Sequence, residues 1–321
     1  MEEKQIEALI FGHAIGDALG VPVEFRGRDE LLADPVREMR GFGSHPVPTG
    51  AWSDDTSMTL ALVESISRLG YLDLADVMEN FRKWMDEAAF TPTGNVFDMG
   101  RTCGLAIYNF KRGFSPTECG GRGEGDNGNG SLMRIAPIVP YLYVKYGSRL
   151  PKEALAEVHD ASALTHAHPR SQMACGIYVL IAVRLLDGAG LDEAIEDGLA
   201  EARNRYAADD CFRAEVETYH RIWDVASFRA LPLDTIRSSG YVVDTLEAVL
   251  YCLLTTNNYA DCVLKAVNLG EDTDTVGAIA GGLAGLAYGL DAIPQQWQDA
   301  LIQRDEIQAL CASFAEALRH L

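Results

Sequence analysis

The stretch GAWSDDTSM (50–58) carries four oxygen-bearing side chains in a row, those of Ser53, Asp54, Asp55 and Thr56, just before an apolar segment. Such side chains commonly cap the first turn of a helix, because they accept hydrogen bonds from free N–H groups and complement the helix dipole. They are also the ligands that hard divalent cations prefer. Taken alone, the stretch leaves both interpretations open.

A second acidic stretch, far along the chain, repeats this chemistry. NLGEDTDTVGAIAG (268–281) places Asp272, Asp274 and Thr275 before a segment of small and aliphatic residues. A cap needs one or two side chains, whereas neighbouring carboxylates raise each other's pKa unless a cation neutralises them. Four carboxylates and two hydroxyls from the two stretches suit two Mg²⁺ or Mn²⁺ ions about 3.5–4 Å apart. No histidine adjoins either stretch, which disfavours zinc.

Glycines on two apolar segments indicate helices that approach each other closely behind this site. Gly12, Gly16 and Gly20 recur at a spacing of four in the first segment, and five glycines lie within 275–289. Each glycine weakens a helix by roughly 1 kcal/mol relative to alanine, which is tolerable where two helices pack very close together. Such packing would hold the acidic loop rigidly; ordinary tight core packing is the alternative.

Apolar residues recur with helical spacing along most of the chain, and no alternating strand pattern is evident. The spacing predicts a first helix from Ile6 to Leu19 and a second from Met58 to Leu69, ended by Gly70. Further helices are predicted at 74–88, 131–144, 152–164, 170–187, 191–203, 242–256, 259–269, 275–289 and 305–319. The segments that resist a helical interpretation are 21–56, 111–130 and 225–241. No linker divides the chain, so we predict one compact all-α domain over residues 1–321.

The composition disfavours several classes of protein. The net charge is −20, with 27 Lys and Arg against 47 Asp and Glu, and no basic cluster that would bind a nucleic-acid backbone stands out. Seven scattered cysteines without a CxxC pair argue against a disulfide framework and fit a reducing compartment. No secretion signal is evident, and the longest apolar run seen, 276–290, is shorter than the roughly 20 residues that span a bilayer. We therefore expect a cytoplasmic monomer that does not contact membranes.

Six motifs, in this order, resemble the signatures of the ADP-ribosylglycohydrolase family. They are GHAIGDALGVPVEF (12–25), GAWSDDTSM (50–58), VFDMGRT (96–102), NGNGSLMR (127–134), THAHPRS (165–171) and LGEDTDTVGAIAG (269–281). The resemblance extends from the first helix to about Gly289, nearly the whole chain. It implies an all-helical fold around a binuclear Mg²⁺ or Mn²⁺ centre that cleaves the bond between ADP-ribose and a modified group.

The resemblance also implies roles for the acidic residues. The metal ligands it implies are Ser53, Asp54, Asp55, Asp272, Asp274 and Thr275, and the catalytic residues are Glu24 and Asp55. Glu24 would act as a general base or acid; a salt bridge with Arg26 or Arg28 is the alternative. Asp17 is either a support for the metal ligands or a buried hydrogen-bonding acid. The family usually has Thr at the position of Ser53 and often Gly at that of Glu271.

The substrate-binding residues that the resemblance implies are Asp98, Gly100, Gly128, Asn129, Gly130, Ser131, Met133 and His166. The glycine-rich stretch up to Ser131 suits phosphate and ribose, because glycines let backbone N–H groups approach anionic oxygens and a helix starting near Ser131 would add its positive end. A flexible loop with a serine cap is the alternative. His166 is expected to contact a phosphate or ribose, or else to be a structural histidine at a helix end. The family often has Asn where Arg101 stands.

The function implied by this resemblance is metal-dependent removal of ADP-ribose from a modified acceptor, such as an arginine side chain of a protein. The partners would be ADP-ribose and the ADP-ribosylated substrate. Two alternatives are a hydrolase of a free ADP-ribose derivative and a catalytically silent relative that binds ADP-ribose or blocks a toxin.

Overall fold

A computed structural model describes residues 2–321, and within that range the chain folds into fifteen α-helices without a β-strand. The helices are α1 Glu3–Gly20, α2 Arg28–Ala33, α3 Asp54–Leu69, α4 Leu74–Glu87, α5 Arg101–Lys111, α6 Ile138–Tyr146, α7 Lys152–Ala163, α8 Pro169–Leu186, α9 Leu191–Ala208, α10 Val225–Arg229, α11 Val242–Leu254, α12 Tyr259–Val267, α13 Thr273–Tyr288, α14 Gln295–Ala300 and α15 Arg304–Arg319. Short 3₁₀ turns connect several of them. The predicted all-α fold is confirmed.

The helix predicted at 131–144 is wrong in its first half. Only a 3₁₀ turn, Leu132–Arg134, forms there, and α6 begins after Pro137. Proline lacks an N–H and disfavours helical backbone at the residue before it, so the helix can begin only beyond this position. The sequence interpretation also omitted the short helices α2, α10 and α14, and the longer α5.

The two glycine-bearing helices, α1 and α13, pack against each other nearly backbone to backbone. A Cβ atom added to Gly16 would lie 2.0 Å from the carbonyl oxygen of Gly277, and one added to Gly12 would lie 2.4 Å from that of Gly281. One added to Gly20 would lie 2.3 Å from the Cα atom of Asp274. The predicted close approach is confirmed, and it places the end of α1 beside the acidic start of α13.

The N-terminal helix is both long and apolar, although it contains no uninterrupted apolar run as long as 276–290. Glu3–Val23 is long and apolar enough to cross a membrane when judged by length and composition alone. The apolar part of this segment is fully buried inside the protein, however, and the core helix of a globular fold can have the same length and composition. All seven cysteines are free thiols, and six of them are buried.

Candidate metal and substrate site

The start of α3 is capped by a residue from another helix. Asp17, fully buried on α1, accepts hydrogen bonds from the backbone N–H of Ser53 (2.9 Å), the N–H of Thr56 (3.0 Å) and the Thr56 hydroxyl (2.6 Å). The Ser53 hydroxyl is the N-cap and accepts from the N–H of Asp55 at 3.3 Å. Asp17 and Ser53 thus accept from the N–H groups of Ser53, Asp55 and Thr56, and the carboxylates of Asp54 and Asp55 make none of these capping bonds.

The start of α13 is held through the backbone of the loop before it. Arg28 Nε donates to the carbonyl of Leu269 at 2.9 Å, and the Ser238 hydroxyl donates to the carbonyl of Gly270 at 2.9 Å. The N–H of Asp272 donates to the carbonyl of Ser238 at 3.0 Å. Asp272 occupies the N-cap position but makes no capping bond with its side chain. Its carboxylate is therefore directed to another use.

The two helix starts meet at one carboxylate. Asp55 Oδ2 accepts hydrogen bonds from the Ser53 hydroxyl at 3.1 Å and from the Thr275 hydroxyl at 3.2 Å. Asp55 Oδ1 and Asp274 Oδ2 are both buried without a hydrogen-bond partner. Buried carboxylate oxygens without partners are unfavourable unless a cation binds them. The donor set of carboxylates and hydroxyls therefore fits hard divalent cations.

The electrostatics of this acidic cluster lead to the same conclusion. Burial, and then the neighbouring carboxylates, raise the pKa values of Asp54, Asp55 and Asp274 well above their usual range. Burial also raises the pKa of Asp272, against the hydrogen bond that it accepts from Asn129. The carboxylates resist ionising together, so a positive charge placed among them would be strongly stabilised.

Two groups of acidic and histidine side chains have ligand atoms that all lie within 4.8 Å of one another. One consists of Glu24, Asp272 and Asp274, and the other of Glu24, His45 and Asp98. The carboxylate of Glu24 belongs to both. Among residues 2–321, the side chains of the α3 start belong to no such group. The α3 start reaches the α13 start through Asp55 instead, because the carboxylate of Asp55 accepts hydrogen bonds from the hydroxyls of both Ser53 and Thr275.

His45 is the partner of Glu24, and sequence analysis did not single it out. Its Nε2 lies 2.5 Å from Glu24 Oε2, and this hydrogen bond raises the pKa of His45. Burial raises the pKa of Glu24 to about 7; the bond to His45 opposes that rise, whereas Asp98 and Asp272 add to it. A single histidine in the Gly- and Pro-rich loop 41–50 has no diagnostic spacing, so no signal marked it.

The salt bridge considered as an alternative for Glu24 does not form. Arg26 pairs with Glu30 and Asp34, at 3.4 and 3.7 Å. Arg28 donates to three backbone carbonyl groups, those of Leu269, Leu233 and Ile236. Neither arginine neutralises Glu24, which leaves its carboxylate facing the acidic cluster and His45.

A cavity of about 230 Å³ opens beside the acidic cluster. Its lining includes most of the residues predicted from the sequence, together with four that were not: Glu24, Asp54, Asp98, Gly100, Gly128, Asn129, Gly130, Met133, His166, Asp272 and Thr275, with Arg101, Thr102, Cys103 and Gly240. Ser53, Asp55 and Asp274 are buried and do not line it. Of the predicted metal ligands at the α3 and α13 starts, Asp54, Asp272 and Thr275 therefore line the cavity.

The glycine-rich loop forms one wall of the cavity and is held on both sides. The N–H of Gly121 donates to the carbonyl of Thr165 at 2.9 Å, and the N–H of Asn129 donates to that of Gly240 at 3.0 Å. The Asn129 side chain donates to Asp272 Oδ2 at 2.7 Å. The loop is therefore anchored by hydrogen bonds to two other segments, and Asn129 connects it directly to the acidic cluster.

Ser131 does not lie where the sequence interpretation placed it. Its side chain is fully buried, accepts from the Ser162 hydroxyl at 2.9 Å and does not line the cavity. Only the 3₁₀ turn Leu132–Arg134 follows it, so no long helix directs its positive end at a ligand. The expected contribution of a helix dipole at Ser131 is therefore wrong.

Asp98 and Arg101 lie at the mouth of the cavity. Asp98 is half-buried with a positive φ of 52°, a conformation that is uncommon for residues other than glycine. Arg101 begins α5, is exposed, and contacts Asp126 Oδ1 at 3.3 Å. Its guanidinium therefore stands at the entrance, where the family pattern often has the shorter, neutral Asn.

Residues 2–320 match the family described as ADP-ribosylglycohydrolase. The chain is 32% identical to the ADP-ribosylarginine hydrolase Tri1 of Serratia proteamaculans over 94% of its own length and 76% of that protein. It is also 32% identical to the ADP-ribosyl-[dinitrogen reductase] glycohydrolase of Rhodospirillum rubrum, over 92% of this chain and 89% of that one.

More distant relatives and solved structures agree with this. The human ADP-ribosylhydrolase ARH3 is 23% identical over 94% of the chain and 90% of that protein. A solved structure described as an ADP-ribosylglycohydrolase-related protein complex superposes with a TM-score of 0.79 at 32% identity, covering 99% of both chains. The similarity extends over nearly the whole helical fold.

Proposed function

The chain belongs to the ADP-ribosylglycohydrolase family, and from that premise we propose that it removes ADP-ribose from modified arginine side chains with the help of divalent cations. Removal of ADP-ribose from a modified acceptor is supported by the relatives as a group. Arginine as the acceptor is supported by the similarity to the Serratia relative, which is named an ADP-ribosylarginine hydrolase. One observation carries the metal part of the proposal: two acidic helix starts meet beside a cavity and leave buried carboxylate oxygens without partners.

The residues that would hold two Mg²⁺ or Mn²⁺ ions are those of the two helix starts: Ser53, Asp54, Asp55, Asp272, Asp274 and Thr275. Glu24 and Asp98 lie next to them. When bound, such cations supply Lewis-acid chemistry, since they stabilise negative charge on oxygen and ease the ionisation of water. Asn129 keeps Asp272 in place through its 2.7 Å hydrogen bond.

Glu24 is the residue placed to move a proton. Its carboxylate lines the cavity and is oriented by His45 at 2.5 Å. In the proposed reaction a water oxygen bonds to the anomeric carbon of the ribose, the bond to the acceptor nitrogen breaks, and Glu24 carries the proton from water to the released guanidine. General acid–base catalysis of this kind typically contributes about 10²–10⁴-fold to the rate.

The catalytically silent alternative is not favoured by any observation on this chain. The acidic residues of both helix starts are present, and the cavity beside them is open. The alternative of a free ADP-ribose derivative as substrate differs only in the leaving group. A substrate panel therefore separates it from the arginine proposal.

The test measures ADP-ribose released from an ADP-ribosylated arginine peptide, an ADP-ribosylated serine peptide and O-acetyl-ADP-ribose, with Mg²⁺, with Mn²⁺ and with a chelator. We expect release from the arginine peptide with a metal and none in chelator. Glu24→Gln should lower the rate by about 10²–10⁴-fold, whereas Glu30→Gln, an exposed change in the same region, should not. Full activity in chelator would contradict the metal dependence, and release only from another substrate would contradict arginine as the acceptor.

A further inference from the structure

The outer side of α5 carries two apolar and two basic side chains in a single line. Because they are separated by four, three and four residues, they share one side of the helix and its C-cap. They are Arg101, Leu105, Tyr108 and Arg112, and are called the α5 row below. All four are exposed, Leu105 by 50% and Tyr108 by 55% of its surface, whereas the opposite side of α5 is buried.

Further apolar side chains extend the α5 row at both ends. The guanidinium of Arg112 lies over the rings of Tyr108 and Phe114, 5.9 and 5.7 Å from their centroids. Phe114 is exposed, and so is Met99, whose sulfur would lie 3.4 Å from a Cβ atom on Gly104 at the start of α5. Single exposed apolar residues are ordinary, but a continuous group that includes Tyr, Met and Arg has the composition of a protein–protein interface.

The charge of this surface is opposite to that of the protein as a whole. The net charge of the chain is −20, yet no Asp or Glu stands between Asp98 and Glu118. Lys111, beside the α5 row, is paired with Asp86 at 2.8 Å. Arg112 contacts aromatic rings and makes no salt bridge to any other residue in the range 2–321. The α5 row therefore offers a cation beside apolar side chains, which complements an acidic partner.

The α5 row begins at the cavity and leads away from it. Arg101 lines the cavity and is the first residue of α5. At 1.5 Å per residue, Arg112 lies about 16 Å farther along the helix. An extended polypeptide covers that distance with about five residues. The neighbours of a modified arginine in a protein can therefore reach Arg112, whereas a single ADP-ribosylated arginine held in the cavity ends near its mouth.

We propose that the α5 row is a docking surface for the acceptor protein, which it binds through an acidic stretch with apolar residues next to the ADP-ribosylated arginine. The modified residue in the cavity rests on the proposed function, whereas the affinity of the row for an acidic polypeptide does not. A nucleic-acid backbone is disfavoured because it requires more clustered cations than the two of the row. A second copy of this chain, related by twofold symmetry, would place basic row against basic row.

The test compares two substrates that differ only beyond the cavity. One is free ADP-ribosylarginine, and the other is a peptide of about 20 residues, long enough to cover the α5 row, with ADP-ribosylarginine at its centre and alternating Glu and Leu on both sides. In Arg112→Glu and in Tyr108→Ala, kcat/KM for the peptide should fall about tenfold through KM, the size of an interface hot spot. The value for free ADP-ribosylarginine should stay at that of the wild type.

Two exposed residues in other connections supply matched controls. Arg149→Glu, between α6 and α7, makes the same change of charge, and Tyr71→Ala, between α3 and α4, removes a similarly exposed ring. Neither should change kcat/KM for either substrate. Wild-type values for the peptide in both Arg112→Glu and Tyr108→Ala would overturn the proposal. An equal loss on free ADP-ribosylarginine would also overturn it, because a docking surface outside the cavity does not act on that substrate.

The acidic character of the partner is tested with a second peptide in which Gln replaces every Glu. The wild type should use it less well, and Arg112→Glu should not lower its kcat/KM further; an equal loss on both peptides would contradict an acidic partner. Self-association of the wild type that Arg112→Glu abolishes, measured by sedimentation, would assign the α5 row to a second copy instead. Binding of a single-stranded oligonucleotide that is tighter than that of the peptide and is lost in Arg112→Glu would assign it to nucleic acid.

Fluorescence anisotropy with the unmodified Glu–Leu peptide separates this inference from the proposed function. If no substrate releases ADP-ribose, the proposed function is contradicted and this binding measurement decides the role of the α5 row. Weaker binding to Arg112→Glu than to the wild type and to Arg149→Glu would then support the docking surface. Equal binding to all three proteins would overturn it.

Discussion

The starts of α3 and α13 carry the same kinds of side chain but are stabilised in different ways. At α3, the N–H groups are satisfied by Ser53 and by Asp17 from α1. At α13, the N-cap Asp272 makes no capping bond with its side chain, and Asp274 Oδ1 accepts from the N–H of Thr275 at 2.9 Å. One start has its own dedicated caps, whereas the other relies on the loop that precedes it.

This difference indicates that capping and the proposed metal binding are separate tasks, although similar sequence patterns suit both. Ser53 caps α3 through its hydroxyl oxygen, and the same hydroxyl also donates to the carboxylate of Asp55. The carboxylates of Asp54 and Asp55 make no capping bond, because the N–H groups of Ser53, Asp55 and Thr56 donate to Asp17 and Ser53. At α13 the structural support comes from Arg28 and from the Ser238 segment.

The largest effect is expected from removing a charge at the α13 start. Asp274→Asn should lower hydrolysis at least about 100-fold, since even the residues that merely orient metal ligands are commonly worth 10–100-fold. Mg²⁺ at 100 times its dissociation constant should stabilise the wild type by about 2.7 kcal/mol and the variant hardly at all. In chelator the variant should melt no lower than the wild type, because a buried charge has been removed.

Thermal melting with and without Mg²⁺, together with ADP-ribose release, checks this prediction. Asp291→Asn, an exposed acidic residue at a distance from the site, is the control and should behave as the wild type. An unchanged Mg²⁺-dependent shift in Asp274→Asn would remove Asp274 from the ligand set and leave α3 as the principal metal-binding half.

The close packing of α1 on α13 should be the next most sensitive feature. In Gly16→Ala the new methyl group would lie 2.0 Å from a backbone oxygen, so the helices must separate, and overpacking of this kind costs about 1–3 kcal/mol or more. Gly104→Ala in α5 is the matched control, because its Cβ meets only the Met99 side chain at 3.4 Å. Urea unfolding should show a large loss of stability for Gly16→Ala and no loss of stability for Gly104→Ala. Equal stabilities would show that the two helices have room to adjust.

Removing Asp17, the residue of α1 that caps α3, should affect only the α3 side of the acidic cluster. Asp17→Asn replaces an acceptor oxygen with a donor amide, which leaves buried N–H groups of Ser53 or Thr56 without partners and should cost about 1–3 kcal/mol. Because this cap positions Asp54 and Asp55, hydrolysis should fall by about 10–100-fold. Unfolding and rate measurements against Asp34→Asn, an exposed control, check both. A normal rate in a destabilised Asp17→Asn protein would mean that the position of α3 does not depend on its cap.

The smallest effect concerns Ser53, where the family usually has Thr. Ser53→Thr keeps the hydroxyl and should preserve both stability and metal affinity. Ser53→Ala removes an N-cap, which typically costs about 1 kcal/mol, and should also weaken metal binding. Titration with Mn²⁺ and thermal melting of the three proteins separate the two contributions. Identical metal affinity in all three would leave Ser53 as a cap only.

The parts of the site that could be predicted are those in which the same kinds of side chain recur along the sequence. The two acidic stretches and the glycine spacing of α1 each carry their signal locally, and the fold brings them together as expected. The helix ended by Gly70 was likewise predictable, because that residue adopts the left-handed conformation that glycine favours.

The parts that could not be predicted depend on tertiary contacts. His45 reaches Glu24 from a loop without regular structure, and Asp17 reaches α3 from a different helix. Ser131 sits within a plausible binding motif, yet its side chain turns into the core toward Ser162. For such residues the sequence supplies the chemical type, whereas the direction of the side chain is decided by packing that a local pattern does not encode.

The pairing of α1 with α13 has a consequence for how the protein is made. The Thr273 hydroxyl donates to the carbonyl of Gly20 across 253 residues of chain, which a ribosome adds in roughly 13–50 s at 5–20 residues per second. During that interval the long, apolar helix α1 lacks the partner that covers its glycine-bearing face. Nascent chains should therefore depend on chaperones that shield the N-terminal segment, and the acidic site is complete only once nearly the entire polypeptide has been synthesised.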